Sequence, residues 1–190
     1  LSGEINDELT TFTSPYWVID EVNGIIDLKP LNEEIKPIVS VNGEFISKVG
    51  ENLIANLSGS DIDVNKITAV TCGGSAVDFT ISGTSIVVAG LTSGEQVILA
   101  ETENEIYKIN VIVYDTGITT TEQLTSWLTS PTTYAVLLSH INYGGATLNM
   151  GGNVTGVLNG LGYTVSNFTY STGIVDGIST GGVIKNVCFT

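Results

Sequence analysis

Three textures of apolar and polar positions follow one another along the chain. Residues 1–36 open polar, from Ser2 to Thr11, and continue as "FTSPYWVIDEVNGIIDLKP". Val18-Ile19 and then Ile25-Ile26 with Leu28 form two short apolar runs around Asn23-Gly24. Asn-Gly between apolar runs predicts a hairpin, because both residues accept the positive φ that a tight turn needs. Pro30 and Pro37 bracket "LNEEIKP", a charged connector that reads as a linker.

Residues 37–115 alternate between short apolar runs and turn signals. The predicted strands are Ile38–Val41, Phe45–Val49, Asn52–Leu57, Ile67–Thr71, Ala76–Ile81, Ser85–Ala89, Gln96–Glu101 and Tyr107–Tyr114. Asn42-Gly43, Gly73-Gly74, Gly83 and Ser93-Gly94 separate them. Many short strands at this spacing predict a β-sandwich. In "YKINVIVYD" a period of two puts Tyr107, Ile109, Val111 and Val113 on one face.

Residues 116–190 begin with a helix signal and then change texture. In "TTTEQLTSWLTSP", Thr120 and Gln123 form a capping box, and Leu124, Trp127 and Leu128 make an apolar stripe that Pro131 ends. "YAVLLSHINYGG" reads as one strand. Beyond it, apolar pairs such as Val157-Leu158, Ile174-Val175 and Val183-Ile184 sit between Gly- and Asn-containing corners. This fits a short right-handed parallel β-helix of about three coils over residues 145–190, with the helix as its cap. The expected fold is therefore all-β, with three segments at 1–36, 37–115 and 116–190.

Composition narrows the role. Twenty acidic residues stand against six lysines and no arginine, a net charge of −14. Nucleic-acid binding needs cationic phosphate contacts, and anionic membranes need basic patches, so neither partner is expected. No apolar run is long enough to span a bilayer. With no initiator Met and no signal peptide, the sequence reads as a piece of something longer. Cys72 and Cys188 are expected as small buried hydrophobes rather than a disulfide or metal ligands. The three Asn-x-Ser/Thr sequons, at Asn56, Asn153 and Asn167, are no more than such a composition produces by chance.

Two resemblances add to this reading. "SGEQVILA" and "YKINVIVYD" resemble strands of a bacterial immunoglobulin-like domain of the cell-surface type, over about eighty residues. "GVLNGLGYTVSNFTY" and "GGVIKNVCFT" resemble the start of a family of bacterial surface β-helices, over roughly seventy residues. That family usually has aspartate where this chain has Asn159. "SPYWVIDEVNGIIDLKP" is similar to the last coil of such a β-helix, yet it stands at the beginning here. The resemblance implies the tail of one β-helix, an immunoglobulin-like spacer and the head of another.

The order raises the question of what covers the last strand, since an open strand edge invites another strand. Tyr16, Trp17, Val18, Ile19, Ile25 and Ile26 at one extremity, and Val183, Ile184, Val187 and Phe189 at the other, form the expected assembly interface. The expected partner is another copy or an adjacent repeat, joined head to tail, and closure of the end by residues 1–30 of the same molecule is the alternative. Catalysis is not expected. His140 is the single histidine and reads as a strand or corner residue, and residues 145–190 hold one acid, Asp176, and one cation, Lys185. Polysaccharide cleavage on a β-helix needs paired carboxylates or a metal with a base. "GSDIDVN" brings Asp61 and Asp63 into a calcium-like spacing, without the following Gly and distal Glu of a calcium loop. A turn is the favoured reading there, and no cofactor is expected. Tyr16, Trp17, Tyr134, Tyr143, Tyr163 and Tyr170 could stack against a glycan or a host surface. The expected role is a structural or adhesive module of an extracellular bacterial surface protein. A virion component and a carbohydrate-binding module are the alternatives.

Overall fold

Strands account for nearly all of the regular structure. The computed structural model describes residues 36–58, 61–148, 152–170, 173 and 175–190, together with the backbone of 16–20 and 25–29. The chain is all-β with one α-helix among the described residues. Two compact units form, Leu1–Pro37 and Ile38–Thr190.

In the first unit, β1 (Tyr16–Asp20) and β2 (Ile25–Lys29) pair antiparallel, with Asp20 opposite Ile25. The pairing is that of the predicted hairpin; its Asn23-Gly24 turn lies outside the described residues. So do the side chains of Tyr16, Trp17, Val18, Ile19, Ile25 and Ile26.

The second unit begins with nine strands in two layers. They are β3 (Ile38–Ser40), β4 (Phe45–Lys48), β5 (Leu53–Asn56), β6 (Ala69–Cys72), β7 (Ser75–Ala76), β8 (Phe79–Ser82), β9 (Ser85–Val88), β10 (Gly94–Glu101) and β11 (Ile106–Tyr114). One sheet has the order β3-β11-β10-β6-β7, with β4 also on β11; the other is β5-β9-β8. β3 and β4 run parallel to successive halves of β11, and the remaining pairs are antiparallel. Alternation fills the space between the layers with Leu53, Ala55, Ile86, Val88, Ile98 and Ala100, and with Tyr107, Ile109, Val111 and Val113 on the predicted face of β11. The expected strand Ala76–Ile81 divides at Val77-Asp78, because β7 belongs to one sheet and β8 to the other.

Only Asp115 separates β11 from β12 (Thr116–Ile118). Helix α1 (Thr121–Thr129) follows, and its capping box forms as expected: the Gln123 amide donates to Thr120 Oγ1 at 3.3 Å, and the Thr120 amide donates to Gln123 Oε1 at 3.2 Å. Leu124, Trp127 and Leu128 are buried in a second core. The chain then winds through β13 (Tyr134–Leu137), β14 (Ile141–Asn142), β15 (Asn153–Val154), β16 (Val157–Asn159), β17 (Thr164–Ser166), β18 (Gly177–Ile178), β19 (Val183–Lys185) and β20 (Cys188–Phe189). These strands form three sheets, β12-β13-β16-β19, β14-β17-β20 and β15-β18, and every pair is parallel.

Register partners in successive coils lie 22 to 26 residues apart, as from Thr147 to Thr169 and from Val157 to Val183. Three coils therefore do not fit within 145–190. The first begins at Tyr134, because "YAVLLSHINYGG" is not one strand but two, β13 and β14, joined by a corner at Leu138–His140. Coils pack closely enough that glycine is required between them. A Cβ on Gly156 would lie 2.4 Å from the Thr133 carbonyl oxygen, and one on Gly160 would lie 2.4 Å from Val187 Cβ.

Candidate assembly surface

The three sheets all end on strands of one coil, β18, β19 and β20, and the expected interface residues Val183, Ile184, Val187 and Phe189 belong to it. Burial along each register column shows what that position costs. Leu158 is fully buried, and its partner one coil on, Ile184, is half-buried. Val165 is fully buried, and Phe189 above it is half-buried. Val154 is 0% exposed, whereas Ile178 is 55% exposed. Val187 is half-buried and Val183 is exposed. Side-chain chemistry is nearly constant within each column, so the difference in burial follows position along the stack rather than residue type. Ile184, Val187 and Phe189 are partly buried and pack against the second core.

The outward column of the same sheet meets the two-layer region instead of solvent. Val136, Asn159 and Lys185 are register neighbours. Asn159 is 1% exposed and has no unmet polar atom: its Oδ1 accepts from the Leu161 amide and from Asn186 Nδ2, each at 3.1 Å. Its Nδ2 points to Glu95 Oε1 at 3.5 Å. Tyr134 Oη donates to the same oxygen at 3.0 Å, and Lys185 Nζ pairs with it as well. The Lys185 ammonium beside it holds the Glu95 carboxyl below its ordinary value. Burial, with Glu95 nearby, pushes the Tyr134 phenol up to about 12. Sequence reasoning reached none of this cluster as a group, because Glu95 is 39 to 90 residues from its partners. The departure at Asn159 was the available signal: an amide can donate to Glu95, and an aspartate there would repel it.

The other candidates resolve separately. His140 stands at a coil corner, where its Nδ1 accepts from the Thr164 amide at 3.1 Å and its ring meets Tyr163 edge-on at 5.2 Å. An imidazole used as an acceptor for the main chain has a structural task. Asp63 caps the short turn Val64–Lys66, accepting from the Asn65 amide at 3.2 Å, which is the turn-forming role. Asp61 lines a recess with Ser40, Glu105 and Tyr107. No group of three or more His, Cys, Asp or Glu able to hold a metal occurs among the described residues. Cys72 is half-buried and donates to Gln96 Oε1 at 2.8 Å, and burial pushes its thiol up. Cys188 overturns the expectation of a buried hydrophobe. It is exposed, because alternation in β20 turns Phe189 inward in its place. Of the aromatics proposed for glycan stacking, Tyr143 is buried and Tyr134 is bonded to Glu95, while Tyr170 is exposed.

No family model matches the chain, and no curated protein or solved structure matches it either. Among the described residues, no helix is long and apolar enough to cross a membrane.

Proposed function

We propose that this chain is a non-enzymatic structural or adhesive module of an extracellular bacterial surface protein. In this reading, residues 37–115 are an immunoglobulin-like spacer and residues 116–190 a right-handed parallel β-helix segment capped by α1. The module works by display and by stacking: a further coil, from a neighbouring subunit or an adjoining repeat, covers the open side of β18, β19 and β20. Support comes from one observation above all. The same register columns that are sealed in the middle coil are uncovered in the last, most strongly between Val154 and Ile178. A stacked repeat buries its apolar side only against a neighbour, and strand addition to an open edge is a common form of recognition.

Sedimentation velocity over a range of concentrations tests the between-molecule form. Head-to-tail association that grows with concentration and weakens in Ile178→Glu and Phe189→Glu is expected. A chain that stays strictly monomeric at every concentration overturns it.

A further inference from the structure

One carboxylate of the two-layer region engages three successive coils. Tyr134, Asn159 and Lys185 belong to β13, β16 and β19, adjacent parallel strands of one sheet. Such strands are about 4.8 Å apart, and Tyr134 stands two residues before Val136, the register partner of Asn159. All three donate to the same atom, Glu95 Oε1. Tyr134 is held at its other end too. Asp115 Oδ2 accepts from the Tyr134 amide at 2.9 Å and from Ser93 Oγ at 2.8 Å. Ile112 and Val136 are buried but belong to neither core. They lie on β11 and β13, the strands through which the two regions pack.

We propose that Glu95 is a latch that fixes the two-layer region along the flank of the coil stack, so that both turn as one piece, and that discharging its carboxylate frees them. The latch deepens the reading of the chain as a structural module and rests on that reading for its purpose: a spacer that swivels could not set the direction of the stack it displays. The charged and titratable groups around it are Lys185, Tyr134 and Asp115, with Glu44 close enough for its charge to act on Tyr134. Because Lys185 lowers the Glu95 value, the latch is closed at neutral and mildly acidic pH. It opens as pH falls through that lowered value, since a carboxyl stabilised in its charged form contributes only while ionised.

Residual dipolar couplings on the full chain test this. At neutral pH, residues 38–114 and 134–190 of the natural chain should fit one alignment tensor, and below the Glu95 midpoint they should need two. Glu95→Gln should need two tensors already at neutral pH, with hydrogen exchange of the Tyr134 amide roughly tenfold faster. Asn159→Asp, which places a second carboxylate against Glu95, should act in the same direction. One shared tensor for both variants at neutral pH overturns the latch, as does an acid response of Glu95→Gln equal to that of the natural chain. Sedimentation reads the stacking of the open coil separately, so failure of the latch and failure of the module reading give different results.

Discussion

The two-layer region and the coil stack use the same β-branched and aliphatic residues, yet they close their cores differently. The first is sealed by its own two sheets: Leu53 and Ile86 from one sheet and Ile98 and Ile109 from the other are all fully buried. The stack is sealed on the side of α1 by Leu124, Trp127 and Leu128, and each later coil depends on the one after it. Burial in the stack therefore varies with position along its axis rather than with residue type. Two layers that meet face to face bury each other, whereas stacked parallel coils bury their apolar sides one against the next. Charge divides along similar lines. Between residues 145 and 190 only Asp176 and Lys185 are charged, so the acidic surface belongs to the rest of the chain.

The largest expected effect comes from breaking the close approach between coils. Gly156→Ala puts a methyl group onto the Thr133 carbonyl and should cost about 3 kcal/mol by chemical denaturation. Gly162→Ala meets no atom within 4 Å but keeps a φ of +82°, and should cost about 1–2 kcal/mol from backbone strain alone. Equal losses would mean that the coils do not pack as tightly as the structure has them.

A second comparison runs along one register column. Leu158→Ala should destabilise by about 2–5 kcal/mol, the range for a sealed core position. Ile184→Ala, one coil on, should cost less, about 1–2 kcal/mol, because part of its side chain is already in contact with water. If association covers the last coil, the Ile184→Ala cost should rise with protein concentration toward that of Leu158→Ala. Thermal melts at several concentrations check this.

The smallest effect is alkaline and contrasts the two regions directly. Tyr107 in the two-layer region and Tyr134 in the stack are both held up to about 12. In Tyr107 the main cause is the hydrogen bond to Glu105, and in Tyr134 it is burial. A phenol raised above its ordinary value of 10.0 stabilises the fold below that pH, and the contribution is lost as pH climbs toward 12. Absorbance titration should show both ionising late. Tyr107→Phe and Tyr134→Phe should each flatten part of the fall in stability over that window.

Much of the architecture was legible locally. The period of two in β11 identified its buried face, and the Thr120–Gln123 box with the Leu124, Trp127, Leu128 stripe identified the helix. Corners were harder. Ala76–Ile81 and "YAVLLSHINYGG" each looked continuous, because a strand that leaves one sheet for another keeps its apolar composition while its partners change. Cys188 was misplaced for a related reason: one residue of phase decides which of two apolar neighbours faces inward.

By itself, the sequence determined the all-β character, the helix with its Thr120–Gln123 box and the turn at Asp63, because propensity and periodicity act over a few residues. Only the tertiary structure decided that Glu95 meets Tyr134, Asn159 and Lys185, and which strands pair from coil to coil. Those depend on how many residues each coil takes and on which strands end up side by side. Chain winding sets both, and no short stretch of residues encodes it.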